Sequence, residues 1–254
     1  MFKKARVDIG VLLVTQLMGS FVHANEIKVL ALQSPQIVLN ELAPEFERRT
    51  GYKITQISRT NEMPFHIKQR IDGGEAFDVA FLVPAMLDQL AKEGRIIPNT
   101  RTNFLRVPIG VAVRAGAPKP DISSVEAFKK ALVKAKSIAY LKAGISGPHL
   151  QSLFERFGIA ELLQSKSKRP EMDTVGELVA QGEAEIGITA ISTLMATRGV
   201  DIVGVIPQEI QAYVSFAGAV STTASKQSIA QELLKFIAEP NSIVVVRLKG
   251  MEPW

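Results

Sequence analysis

Short, unbroken apolar runs rich in β-branched residues alternate with amphipathic stretches from Asn25 onward, and this alternation constrains the fold more than any other feature. A strand covered on both faces has no solvent side to mark with polar residues, so it reads as a continuous apolar run. The expected strands are Ile27–Ala31, Tyr52–Ile57, Phe77–Val83, Ile109–Val113, Ser137–Tyr140, Glu185–Thr189, Ile202–Val205 and Tyr213–Val220. Helical periodicity predicts helices at Pro35–Arg49, Pro64–Asp72, Pro84–Glu93, Val125–Lys134, Pro148–Phe157, Val175–Gln181, Ser192–Thr197 and Ser225–Ala238. Strands and helices taken in turn give an α/β fold with mostly parallel sheets. Ile109–Val113 and Tyr213–Val220 are placed to be crossings between two lobes.

Composition removes several kinds of chemistry. The 254 residues include no cysteine, which leaves no disulfide, thiolate metal site or Cys nucleophile. The three histidines, one of them His23, form no set with metal-ligand spacing, so no metal and no cofactor is expected. The net charge is +5, but Lys3, Lys4 and Arg6 against Asp8 supply two of those charges. The basic runs at Lys129, Lys130, Lys134, Lys136 and at Lys166, Lys168, Arg169 have no interleaved aromatics and read as solvated faces, not a nucleic-acid surface. Gly144-Ile-Ser146-Gly147-Pro148 approaches a nucleophile elbow, but Pro148 stands where the last glycine should be.

Residues 1–24 carry a basic start, an apolar stretch from Val7 to Phe21, and small residues at Val22 and Ala24 flanking His23. This is the pattern of a secretory signal peptide cleaved after Ala24. The apolar run is too short to span a bilayer, so the chain is expected not to be membrane-embedded. The signal peptide makes the expected mature protein periplasmic, and it is expected to be a monomer.

Candidate site residues cluster where helices begin. Ser34 ahead of Pro35, and Ser146-Gly147 ahead of Pro148, resemble N-caps followed by proline at the first helical position. Thr174-Val-Gly-Glu177 has the form of a capping box. Helix N-termini at the carboxyl ends of strands bind anions through free amides and the helix dipole. Thr60 and Asn61 form a polar loop on the same side, and Arg59 beside them could grip a carboxylate. Each of these features also has a plain structural reading as an ordinary cap or a solvated loop charge. His66 and His149 read first as core-edge or solvent-facing side chains.

Several segments together resemble the periplasmic molybdate-binding-like solute receptors of ABC transporters: IKVLAL at 27–32, LAPEFERRTG at 42–51, RIDGGEAFDVAFL at 70–82, IGVAVRAGAPKPDI at 109–122, ISGPHLQSLFERFGI at 145–159 and ELVAQGEAEIGI at 177–188. The resemblance implies a two-lobe type II periplasmic binding fold with two crossing strands as hinge. It divides the chain into lobe 1 at 25–107 plus 219–254 and lobe 2 at 108–218, with crossings near 107–112 and 213–220. It implies capture of a small anion between the lobes and docking on an ABC permease. It also keeps a helix across Pro44, with a bend. Ser34 matches the first oxyanion-binding serine, Ser146 and Gly147 the loop whose amides face the ligand, and Thr174 or Val175 the next contact. Ala190 stands where those receptors have a tyrosine, and Ser58–Met63 replaces their serine-rich loop. LAPEFERRTG and GVDIVGVIP at 199–207 resemble equally the aconitate isomerase branch of the family. On that alternative Arg59, Lys142 and the Ser146–Gly147 amides would clamp carboxylates, and His66, Glu62 or His149 would be the base.

Overall fold

The computed structural model describes residues 25–59 and 62–254. The expected signal peptide, Thr60 and Asn61 lie outside the described residues. Lobe 1 begins with β1 (Glu26–Ala31), α1 (Gln33–Thr50), β2 (Lys53–Gln56), α2 (Pro64–Asp72), β3 (Val79–Leu82) and α3 (Pro84–Lys92). The long β4 (Thr102–Arg114) then leads into α4 (Val125–Lys134), β5 (Ile138–Tyr140), α5 (Ser146–Arg156), α6 (Ala160–Gln164) and β6 (Ser167–Lys168). Lobe 2 is completed by α7 (Val175–Ala180), β7 (Ile186–Ala190), α8 (Ile191–Ala196) and β8 (Val200–Val205). The chain returns through β9 (Tyr213–Val220), α9 (Gln227–Phe236), α10 (Pro240–Leu248) and β10 (Glu252–Pro253).

Each lobe has a parallel trio at its heart. β1 lies between β2 and β3, and β5 between β6 and β7. The antiparallel pairings gather where the lobes meet. Thr102–Pro108 of β4 pairs with β9, whereas Ile109–Arg114 of the same strand pairs with β7 and β8. One strand therefore belongs to both lobes. β4 starts earlier than the sequence pattern suggested, because Pro108 interrupts the apolar run. Its ring is tolerated because Pro108 lies opposite Tyr213, the first residue of β9, where that pairing ends.

Each lobe has its own main apolar cluster, and Ala190 and Ile191 of lobe 2 join that of lobe 1. In lobe 1, Val29, Phe81 and Ala219 of the sheet pack under Val38 and Phe46 of α1, Leu87 of α3 and Leu233 of α9. In lobe 2, Val111, Ile138 and Ile188 meet Phe128 of α4 and Leu150 and Phe154 of α5. Proline at the first helical position starts α2, α3 and α10, its fixed φ suiting the helix and its missing N–H costing nothing there. α1 runs unbroken through Pro44 and stops at Gly51 in the left-handed conformation. Gly110 lets α8 lie directly on β4, since a Cβ there would come within 2.8 Å of the Ile191 Cβ.

Candidate functional site

The cleft between the lobes holds about 620 Å³ of space not filled by atoms, part of it open to solvent. Leu32, Gln33 and Ser34 line it from the start of α1, Glu62, Met63 and Pro64 from the start of α2, and Val83 from the end of β3. The opposite wall is Leu141, Gly144, Ile145 and Ser146 at the start of α5, Asp173 ahead of α7, Thr189 and Ala190 of β7, and Thr193 of α8. Val214 and Phe216 of β9 complete the lining. α1, α5 and α8 each follow a parallel strand, so the cleft sits at strand carboxyl ends, where open α/β sheets collect ligands.

The lobes touch across this cleft. Ser34 Oγ and Ser192 Oγ, both buried, are 3.0 Å apart and share a hydrogen bond. Met63 leaves lobe 1 to pack among Ala112, Leu141 and Val175 of lobe 2. The starts of α1 and α5 both line the cleft, and the amides of Gln33, Ser34, Ser146 and Gly147 in their first turns have no intrahelical partners, which gives donors suited to an anion.

Several helix starts differ from the sequence reading. α1 begins at Gln33 with Leu32 as N-cap, so Ser34 lies inside the first turn and its hydroxyl is directed to Ser192. α5 begins at Ser146 with Ile145 as N-cap. Ser34 sits inside the first turn because the buried Leu32, directly after β1, takes the boundary, whereas Ser146 opens α5 behind the exposed Ile145 of the preceding turn. Thr174 does cap α7, but by backbone conformation alone. Its side chain makes no capping bond, and Thr174 lies outside the cleft lining.

The remaining candidates separate by position. Gly147 is buried beside Ser146 and does not line the cleft. A Cβ at Gly147 would stand 2.3 Å from the Leu141 carbonyl oxygen, so glycine permits that close approach. His149 is turned away, with Nε2 2.8 Å from the Ile210 carbonyl. His66 Nδ1 accepts from the Met63 N–H at 3.3 Å and thereby caps α2. Arg59 and His66 line a neighbouring surface recess with Gln69, Arg70 and Met172. Lys142 is exposed and ion-paired with Glu171 at 2.7 Å. Glu62 reaches both recess and cleft. Its carboxylate accepts from Arg70 Nη1 at 2.7 and 2.8 Å and from the Arg59 N–H at 2.9 Å.

Four residues escaped the sequence reading. Asp173 faces the cleft between Thr189 and Thr193, whose hydroxyls donate to its Oδ1 at 3.3 Å and Oδ2 at 3.2 Å. Burial pushes the Asp173 carboxyl up to about 6, against those two hydrogen bonds, which favour its ionised form; the Glu177 charge adds a smaller upward push. The two threonines sit in apolar runs that read simply as core. Asp173 was hidden by its position just before an apparent cap. Gln33 Oε1 is likewise buried at the cleft wall with no hydrogen-bond partner among the described residues. The lining contains no Lys, Arg or His among the described residues.

The sequence profile of bacterial extracellular solute-binding proteins matches residues 27–252. The chain belongs to this family. An aconitate isomerase from a Pseudomonas species is 34% identical over 218 residues, 85% of this chain and 83% of the relative. The molybdate-binding protein ModA of Azotobacter vinelandii is 25% identical over 245 residues, 92% of each chain. The solved periplasmic molybdate-binding protein from Azotobacter vinelandii superposes with a TM-score of 0.71 at 18% identity, covering 89% of this chain and 98% of that one. The fold is thus that of type II periplasmic binding proteins: two α/β lobes closing on a cleft. Within the family, Ala190 puts a methyl on the cleft wall where the resemblance to molybdate receptors implied a tyrosine hydroxyl. No helix among the described residues is long and apolar enough to cross a membrane.

Proposed function

We propose that this protein is a periplasmic aconitate isomerase that holds the tricarboxylate in the interlobe cleft and moves its double bond by proton transfer. The observation that carries this reading is the presence of carboxyl groups, Glu62 and Asp173, on the cleft wall. A receptor for a fully ionised oxyanion gains nothing from acids beside its ligand, which repel it unless neutralised. An allylic shift needs a group that takes a proton from one carbon and another, or the same one, that returns it. The 34% identity to a protein named aconitate isomerase supports the same reading.

Binding would proceed through neutral donors: the first-turn amides of α1 and α5, the hydroxyls of Ser34 and Ser146, and the Thr60–Asn61 loop. Apolar residues such as Leu141, Val214 and Phe216 would exclude water from the carbon chain. Export by residues 1–24 would place the enzyme in the periplasm.

A second reading, capture of a molybdate-like oxyanion or small carboxylate for an ABC permease, is favoured by the contacts across the cleft, since a receptor signals by closing. Thermal unfolding with molybdate, cis-aconitate or trans-aconitate separates the two. A ligand at a hundredfold its Kd adds about 2.7 kcal/mol, a rise of roughly 5–10 °C at about 2–4 °C per kcal/mol. Stabilisation by aconitate with interconversion of its isomers supports the enzyme. Stabilisation by molybdate alone refutes it.

A further inference from the structure

We propose that Asp173 is the catalytic acid–base of this cleft, a single carboxyl that takes the proton from the substrate methylene and returns it to the former vinyl carbon. The inference rests on the isomerase reading and selects among the carboxyls that support it. Glu62 is poorly suited, because Arg70 and the Arg59 amide occupy both of its oxygens. Protonating it would remove one of the two carboxylates, Glu62 and Glu75, that pair with the Arg70 guanidinium. His66 is committed to capping α2 and His149 to the Ile210 carbonyl.

Asp173 has the opposite setting. It lines the cleft, no cation among the described residues pairs with it, and one threonine hydroxyl on each oxygen fixes the carboxylate plane while leaving further lone pairs free. Thr189 and Thr193 are both buried, so the frame is rigid. β7 and α8, which carry them, bring no ionisable residue. Glu177 of α7 is the charge that acts on it. Facing it across the cleft, lobe 1 presents Glu62, neutralised by Arg70, while Lys142 of the β5–α5 turn is neutralised by Glu171. A carboxyl whose proton affinity lies near 6 can both accept and release a proton close to neutral pH.

The step balances without any co-reactant. The ionised Asp173 oxygen forms an O–H bond as the methylene C–H bond breaks. That electron pair becomes the new C=C bond to the central carbon. The old C=C pair then takes the proton back from Asp173 at the other terminal carbon, which becomes the methylene. Charge on the intermediate dienolate develops on a substrate carboxylate, within reach of the amide donors.

The test is Asp173→Asn in the purified protein, which keeps the size of the side chain. The expected result is a kcat lower by about 10²–10⁴-fold with cis- and trans-aconitate, with trans-aconitate still raising the melting temperature. An active wild type and an equally active Asp173→Asn variant overturn the role of Asp173 and leave the isomerase reading standing. A wild type that interconverts neither isomer overturns both. Should Asp173→Asn fail to fold, Thr193→Val decides. Losing a hydrogen bond to the ionised carboxylate should move the acidic limb of kcat/KM upward in pH from its wild-type position near 6, and an unmoved limb overturns the proposal.

Discussion

Arg70→Met tests how the cleft wall is held together. Arg70 is only 14% exposed at its side chain and Glu62 only 4%, so their ion pair is shielded from solvent. Arg70 also donates to the Ile57 carbonyl at 2.6 Å and to Glu75. Methionine preserves the apolar stem but leaves the Glu62 carboxylate buried against one backbone amide. Breaking a buried pair from one side costs about 3–5 kcal/mol, far more than the pair itself contributes. At about 2–4 °C per kcal/mol for a chain of this size, the melting temperature should drop by roughly 6–20 °C. Arg70→Met with Glu62→Gln removes the orphaned charge and should recover about half of that loss or more, because glutamine retains an acceptor for the Arg59 amide. The assay is thermal unfolding of wild type, both single variants and the double variant at pH 7. A melting temperature for Arg70→Met within about 2 °C of wild type refutes the reasoning, and so does a double variant no better than the single one. The pair has a functional side too. With Arg70 gone, an uncompensated Glu62 faces the ligand, so Arg70→Met should weaken an anionic ligand and the double variant should bind it better than Arg70→Met does.

Ser34→Ala should weaken the ligand by about 1.5–3 kcal/mol, the usual size of a hydrogen bond to a charged group, as titration calorimetry would measure; unchanged affinity removes Ser34 from the site. Gly147→Ala forces a methyl to 2.3 Å from the Leu141 carbonyl, so unfolding should show a loss of about 1–3 kcal/mol. A neutral result would mean that the α5 start shifts freely. The acid–base balance of folding offers a further check that needs no ligand. Asp173 keeps its proton to about pH 6 when folded, against 3.8 for the ordinary side chain. Between those values the folded state holds a proton that the unfolded chain has released, so stability falls as pH rises through that window. Asp173→Asn should therefore stabilise the protein at pH 8, by on the order of 3 kcal/mol at most, and have little effect below pH 4. Equal effects at both pH values would show that burial does not perturb this carboxyl. Glu75 works in the other direction. Hydrogen bonds from Arg70 hold it below the usual carboxylate range, so its contribution is present at neutral pH, fades on acidification, and should vanish in Arg70→Met.

What the sequence made legible followed from local periodicity. Buried strands such as Val79–Leu82 show continuous apolar runs because both faces are covered, and α1, α4 and α9 show stripes because only one face is. Features that depend on tertiary pairing stayed hidden. The first half of β4 is a strand because β9 lies beside it, and Pro108 masks this in the sequence. α10 carries Val244-Val245-Val246, a β-favouring run, yet Pro240 starts it and Val246 anchors it in the lobe 1 core as a helix. Helix starts were missed by a residue or two because neither boundary is set by a side-chain hydroxyl: Leu32 caps α1 directly after β1, and Ile145 caps α5 from the turn that follows β5.

The site shows this division most sharply. Ser34 and Ser146 could be picked out because helix starts after strands have a local signature, and both line the cleft. Asp173 could not, because its proton affinity belongs to no local pattern: it is set by burial, by a hydroxyl from β7 sixteen residues on and by another from α8. The histidines drew notice for the opposite reason, since their ordinary titration range suits acid–base chemistry wherever they stand. In the folded chain both are tied to backbone groups, and the proton-handling role passes to a carboxyl that the fold has moved into the range of a histidine. A solute-binding scaffold acquires a proton-transfer group most simply in this way, by burying one acid at a cleft that already excludes water and neutralising the other with arginine. The Asp173 carboxyl then lowers stability at neutral pH, a cost that a pure receptor would have no reason to retain.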